Sequence, residues 1–137
     1  MRDRRAAWSA YMEWVKTETG SAPYNLANSG VKAYSLADLD VGFGSLALCG
    51  PGAYGHAPLV EALAAKCNVA ADCIATAQGT SMANHLAMAA ILEPGDDVLI
   101  EHPAYPLLWE TAEYLGARVR FFERPAAGEF ALDLDRL

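Results

Sequence analysis

The sequence contains little cysteine and little histidine, and neither occurs in a metal-binding pattern. There are three residues of each type, namely Cys49, Cys67, Cys73, His56, His85 and His102. Their spacing matches no zinc or redox motif, and an odd number of cysteines does not build a disulfide framework. We therefore expect no metal site, and reduced cysteines make the cytoplasm the expected location.

The sequence also lacks a long apolar run and an excess of positive charge. No apolar stretch approaches the length of a membrane span, and Met1–Arg5 is not followed by the apolar core of a signal peptide. The formal net charge of −7 argues against nucleic acid or an anionic membrane surface as a partner. With 137 residues, 53% of them hydrophobic, the chain has the size of one ordinary domain with a substantial core.

From residue 56 onward, helical and strand-like segments alternate. The predicted elements are helices over 56–66, 81–92 and 106–115, strands over 73–77, 97–101 and 118–123, and a further segment starting at 132–137. This alternation indicates an α/β fold with parallel strands and helical crossovers. Residues 20–53 look irregular apart from a helical turn near 35–39.

The N-terminal region is predicted to form an amphipathic helix over residues 4–19. Its apolar stripe consists of Trp8, Tyr11, Met12 and Val15. Such a stripe is more typical of a core or an interface than of a cofactor site, and it could pack on a second domain or a second subunit.

A turn of small residues, Gly79-Thr80-Ser81, lies between a predicted strand and a predicted helix. A helix N-terminus has unpaired N–H groups and partial positive charge, so it can bind a phosphate. Glycine allows close approach, and Thr80 and Ser81 add hydroxyl donors. The alternative is that Thr80 or Ser81 only caps the helix, and for this turn alone that alternative is favoured.

A second candidate follows the predicted strand at 97–101. The turn His102-Pro103-Ala104-Tyr105-Pro106 would place Tyr105 at the C-terminal end of that strand. Ligands of open α/β sheets bind beyond the carboxyl ends of the strands. A phosphate site and an aromatic ring at the ends of two strands suggest a planar, phosphorylated ligand.

Together these segments resemble the class I/II aminotransferases of fold type I, which use pyridoxal 5'-phosphate (PLP). The matching segments, in the order of the family, are Tyr54-Gly55, Leu63-Ala64, Gly79-Thr80-Ser81, Pro94-Gly95-Asp96-Asp97-Val98, His102-Pro103-Ala104-Tyr105-Pro106 and Gly116-Ala117. Each motif is weak alone, whereas the ordered set is specific. The resemblance implies that residues 51–137 begin a PLP-binding large domain of the aspartate aminotransferase type. Residues 1–50 would supply an N-terminal helix and a segment that crosses the active site.

The resemblance also implies roles for particular residues. The Gly79-Thr80-Ser81 loop would hold the cofactor phosphate, and Tyr105 would stack on the pyridine ring. Tyr54 would reach the cofactor phosphate of the neighbouring subunit in a homodimer. Gly30, within Asn28–Val31, would contact the substrate carboxylate, although an ordinary glycine turn explains it about as well. The implied substrates are an amino acid and a 2-oxo acid.

The Schiff-base lysine of the family is not found. The three lysines are Lys16, Lys32 and Lys66, and none lies in a Ser-x-x-Lys context. The resemblance therefore implies the N-terminal part of an aminotransferase, truncated after Leu137, without a catalytic residue of its own and inactive alone. Two alternatives stay open: a fragment of a PLP-dependent lyase or decarboxylase, and a non-catalytic α/β module that binds a ligand or a protein.

The resemblance also predicts which strands can pair. Chain order and spatial order differ in the sheet of the family, so the strand at 73–77 would lack its neighbours here. The strands at 97–101 and 118–123 could still pair with each other. Uncovered apolar faces and strand edges would then make the chain marginally stable or prone to aggregation.

Overall fold

The computed structural model describes residues 8–27, 30–31, 33–47, 49–50, 52 and 54–136. The helices are α1 (Ala10–Thr17), α2 (Ala57–Cys67), α3 (Gly79–Ile91) and α4 (Pro106–Leu115), and the strands are β1 (Asp97–His102) and β2 (Arg118–Glu123). The chain is therefore of the α/β class, as its alternating pattern predicted. Its described residues form two compact units, one within Leu26–Thr76 and one within Met1–Asn25 and Ala77–Leu137.

β1 and β2 form a parallel two-stranded sheet, connected by α4. Asp97 faces Arg118 at one end of the register and His102 faces Glu123 at the other. α4 has Pro106 in its first turn and ends at Gly116, whose φ of 96° is left-handed. A Cβ at Gly116 would also lie 3.1 Å from the Cβ of Pro94, a tight contact, so both backbone conformation and crowding favour glycine there.

The core of this unit lies on the face of the sheet that α4 covers. Ile100, Ala112 and Ala117 are buried at its centre. The half-buried apolar residues packed around them are Met88, Leu92, Val98, Ala104, Leu108, Trp109 and Val119. Leu99 alternates with Ile100 and points to the opposite face, where it is 49% exposed. That face is therefore not covered by the residues that the structure describes.

The predicted strand at 73–77 is wrong for the described chain. Ala71–Cys73 is a 3-10 turn, and the residues after it, beginning with an extended Ile74, pair with no described strand. A strand needs a neighbour for its N–H and C=O groups, and residues 73–77 pair with neither β1 nor β2. The pairing of these two strands, and the isolation of 73–77, agree with the expectation from the strand order of the family.

The other elements differ from prediction mainly at their ends. α1 is shorter than the predicted 4–19, of which residues 4–7 lie outside the described part. α3 begins at Gly79 rather than at residue 81. The bounds of α4 and β2 agree with prediction. The segment predicted at 132–137 contains a 3-10 turn at Leu134–Arg136.

Candidate functional site

The Gly79-Thr80-Ser81 turn is the first turn of α3. The residue before it, Gln78, is the N-cap and has an extended backbone, but its side chain makes no capping hydrogen bond. Gly79 has a φ of +77°, and a Cβ built on it would meet no atom within 4 Å. Glycine is therefore required by the backbone conformation, and the space in front of the turn is open.

The start of α3 differs from the starts of α2 and α4 in its hydrogen bonds. In α2 and α4 the third N–H of the helix donates to the carbonyl of the N-cap residue, Leu59 to His56 and Leu108 to Tyr105, both at 3.0 Å. The corresponding N–H in α3 belongs to Ser81, and it has no backbone acceptor in the described chain. The first turn of α3 is thus less satisfied by protein than the first turns of α2 and α4.

The other polar groups of this turn are also unpaired within the described residues. The N–H groups of Gly79 and Thr80 donate to no protein carbonyl outside the helix, and the hydroxyls of Thr80 and Ser81 make no hydrogen bond. The first turn of α3 contains no acidic side chain that would neutralise the helix dipole. Capping by Thr80 or Ser81 is not formed, and the turn presents donors and partial positive charge to solvent.

Tyr105 lies in the loop that follows the carboxyl end of β1, the position expected from its sequence. Its backbone is the N-cap of α4, with φ −66° and ψ 124°. Its hydroxyl lies 3.3 Å from the Sδ of Met12 and donates to it. Its ring lies edge-on to the ring of Tyr11, with centroids 5.6 Å apart and planes at 87°. The side chain stays 39% exposed.

Contacts between polar side chains join β1 and β2 at the two ends of their register. Arg118 donates from Nε to Oδ1 of Asp97 at 2.9 Å and from Nη2 to Oδ2 at 3.1 Å. These hydrogen bonds lower the pKa of Asp97, and Asp97 in turn raises the pKa of Arg118. At the other end, His102 Nδ1 lies 3.1 Å from Glu123 Oε2. Sequence reasoning missed these pairs because the partners are 21 positions apart.

Tyr54 and Gly30 belong to the other compact unit. Tyr54 is 96% exposed. It lines a cleft of about 790 Å³ together with residues of α2 and of the segment at 71–76. Gly55 beside it has a φ of +103°, and a Cβ there would lie 3.1 Å from Thr76 Oγ1. Gly30 is exposed, whereas Asn28 and Ser29 of the predicted substrate segment lie outside the described residues.

The described residues contain no group of three or more side chains that could hold a metal ion. Within the same residues, no helix combines the length and apolar character that a membrane crossing needs. Lys16 and Lys66 lie in the last turns of α1 and α2, where a cation is favourable at the negative end of the helix dipole. Lys32 lies outside the described part.

Comparison with protein-family models matches residues 23–137 to the model described as aminotransferase class I and II. The match covers well over half of the chain. Searches of curated proteins and of solved structures returned no match to it.

Proposed function

The chain belongs to the aminotransferase class I and II family, and from this premise we propose that it supplies phosphate-binding and ring-stacking residues of a PLP-dependent aminotransferase. Such an enzyme moves an amino group between an amino acid and a 2-oxo acid. The observation that carries the proposal is the first turn of α3. Its donors at Gly79, Thr80 and Ser81 have no acceptor among the described residues outside that helix.

The chemistry of this turn fits a phosphate dianion. A phosphate oxygen accepts charge-assisted hydrogen bonds, each worth about 1.5–3 kcal/mol to a charged group. Backbone N–H groups of residues 79–81 and the hydroxyls of Thr80 and Ser81 are such donors. The left-handed Gly79 has no Cβ to obstruct the approach of a phosphate. The positive end of the α3 dipole also favours the negative charge of a phosphate.

Tyr105 is proposed to stack on the pyridine ring of the cofactor. When bound, PLP acts as an electron sink for the bond that is broken at the α-carbon of the amino acid. The tyrosine ring would hold the plane of the pyridine and exclude water from one of its faces. Gly30 is proposed to contact the substrate carboxylate through its backbone, and Tyr54 to reach a phosphate in the second subunit of a homodimer.

We propose that binding and not catalysis is the contribution of this chain. The family moves a proton with a lysine, whereas Lys16 and Lys66 lie in the last turns of helices, where the dipole accounts for them. No described side chain is assigned the role of a catalytic residue. Catalysis would therefore need a lysine that is not among the 137 residues.

The test uses pyridoxine 5'-phosphate, which has the ring and the phosphate of the cofactor but no aldehyde that could react with lysines. Titration of the purified chain by calorimetry should show binding, and pyridoxine without phosphate should bind at least about tenfold more weakly, because the charge-assisted hydrogen bonds are lost. Ser81→Ala should weaken the phosphate ester but not pyridoxine. Ser21→Ala, at an exposed serine outside the site, is the matched control. Equal binding of the two compounds by the folded chain would contradict the proposal.

A further inference from the structure

Tyr105 is contacted by α1, an element far away in the sequence. The Tyr105 hydroxyl donates to Met12 Sδ at 3.3 Å across a separation of 93 residues. The neighbouring residue on α1, Tyr11, lies edge-on to the same ring at 5.6 Å. Two consecutive residues of α1 therefore contact two different parts of one side chain, the hydroxyl and the ring.

These contacts restrict the orientation of the Tyr105 ring. Its backbone is held at one end, because its carbonyl accepts the hydrogen bond of Leu108 N–H at 3.0 Å at the start of α4. The preceding residue, Ala104, packs against the core cluster. An aromatic ring on a fixed Cα keeps two free torsions. A contact at the hydroxyl and a second at the ring constrain both of them.

Both contacts have a preferred geometry and can therefore restrict the two side-chain torsions of Tyr105. An edge-to-face pair prefers a defined angle between the rings, and the 87° between Tyr11 and Tyr105 matches that preference. A thioether sulfur is a weak acceptor that also favours the neighbourhood of aromatic rings. With 39% of Tyr105 exposed, the remaining surface of its side chain is open to a ligand.

We infer that Tyr11 and Met12 are positioning residues, which set the orientation in which the Tyr105 ring meets a flat, phosphorylated ligand. This inference rests on the proposed role of Tyr105 in ring stacking. Tyr11 and Met12 act on the ligand through Tyr105. A substitution of Met12 should therefore affect ligand binding only while Tyr105 has its hydroxyl. A substitution of Tyr11 should do so only while Tyr105 has its ring.

The contact itself is tested without any ligand. Methionine labelled with ¹³C at its methyl group is incorporated into the full chain, and methyl spectra are compared for the wild type and Tyr105→Phe. The Met12 signal is expected to shift when the hydroxyl is removed. The Met82 signal serves as reference, since Met82 makes no described hydrogen bond to Tyr105. An unchanged Met12 signal would overturn the inference whether or not a ligand binds.

The effect on a ligand is tested by a double-mutant cycle with pyridoxine 5'-phosphate. Met12→Leu keeps the apolar volume but removes the sulfur that accepts from the Tyr105 hydroxyl, so binding should weaken roughly two- to tenfold, the range expected for the loss of one hydrogen bond. In the Tyr105→Phe background the same substitution should change binding much less. Equal losses in the two backgrounds would show that Met12 does not act through the Tyr105 hydroxyl, and would overturn the inference.

Two further variants test the role of the Tyr11 ring, a conservative substitution of Tyr11 and a control substitution of Trp8. Tyr11→Phe keeps the ring edge, so binding and the induced circular dichroism of the bound probe should be retained. Tyr11→Leu should weaken both. Trp8 lies just before the same helix, is 74% exposed and makes no described ring contact with Tyr11 or Tyr105, so Trp8→Leu should change neither. Equal effects of Tyr11→Phe and Tyr11→Leu would overturn the role of the ring edge.

The experiments distinguish a failure of the proposed function from a failure of the inference about α1. If the wild-type chain does not bind pyridoxine 5'-phosphate, the proposed function fails, and the role of α1 in ligand binding fails with it. The methyl spectra still decide separately whether α1 holds the Tyr105 ring. If the probe binds but the cycle shows no coupling, the proposed function stands and only the inference about α1 is overturned.

Discussion

Asp97 and Arg118 are facing partners in the parallel sheet and are also joined side chain to side chain by two hydrogen bonds, at 2.9 and 3.1 Å. Arg120 approaches the same carboxylate, with its Nε 3.4 Å from Oδ1. A bidentate guanidinium–carboxylate pair is geometrically specific. A slip of the register by one residue would separate the partners, so the pair favours the observed register over its neighbours.

This pair predicts a pH dependence of stability. The hydrogen bond from Arg118 lowers the pKa of Asp97 from its ordinary value of 3.8, and the charges of Arg118 and Arg120 act in the same direction. Since the folded pKa is the lower one, the stabilisation is complete above the unfolded pKa and is lost as the pH falls through the folded pKa. The free energy of unfolding, measured by urea titration, should therefore decrease below about pH 4.

Two variants isolate the contribution of Asp97. Asp97→Asn removes the titrating group, so the acid-dependent decrease should become shallower. Asp135→Asn is the control, because the Asp135 carboxylate makes no hydrogen bond or ion pair with the described residues. Identical pH profiles for the wild type and Asp97→Asn would show that the pair contributes nothing measurable.

The turn at α3 predicts a conformational cost of replacing its glycine. Gly79 has a left-handed φ of +77° in open space, so Gly79→Ala meets no clash but places a Cβ in an unfavourable backbone conformation. We expect a loss of about 1–2 kcal/mol in the free energy of unfolding, together with weaker binding of pyridoxine 5'-phosphate. Gly128→Ala is the control, since Gly128 has open space and no left-handed φ. Equal stability of the two variants would argue against a constrained turn at Gly79.

The positions and sequence contexts of the lysines lead us to expect no catalytic turnover. Mixed with PLP, an amino acid and a 2-oxo acid, the chain should show no transamination, because Lys16 and Lys66 lie at helix ends and none of the three lysines has the sequence context of a Schiff-base residue. Product formation is measured by chromatography. Lys16→Arg and Lys66→Arg should not change the result. Turnover that is lost on substitution of one lysine would refute both this prediction and the binding-only role.

Local sequence signals were sufficient to predict the bounds of an element where residues with a strong backbone preference stand at its ends. Pro106 and Gly116 delimit α4, and its predicted bounds were correct. The start of α3 was placed two residues too late, because Ser81 was interpreted as a helix start whereas the left-handed Gly79 already begins the turn. Standard cap preferences do not anticipate a glycine that opens a helix with positive φ.

Structural features that depend on partners distant in the sequence could not be predicted from local sequence. The apolar segment at 73–77 has the composition of a strand, but forming one requires a neighbouring strand beside it, and this segment pairs with neither β1 nor β2. The apolar stripe of α1 was visible as a helical pattern. Its contact with Tyr105 depends on the three-dimensional path between residues 12 and 105, which no spacing rule contains.

The uncovered face of the sheet predicts the behaviour of the chain in solution. Leu99 is 49% exposed on this face while its neighbour Ile100 is buried at 8% on the other. The two-stranded sheet of the described residues also leaves unpaired edges that can recruit strands of other molecules. We expect the chain to aggregate on concentration, as measured by light scattering, and to have only a small free energy of unfolding in dilute solution.

Leu99→Glu should reduce this association, because it places a carboxylate on the uncovered face beside Arg120, the register partner of Leu99. The fold should persist, since little buried apolar area is lost at this position. Ile100→Glu, one residue away, should instead abolish the structure, because an unpaired carboxylate in the core costs several kcal/mol. A wild-type chain that stays monomeric at high concentration and has a large free energy of unfolding would contradict the expectation. It would also favour an independently folded α/β module over a part that needs further strands to cover Leu99.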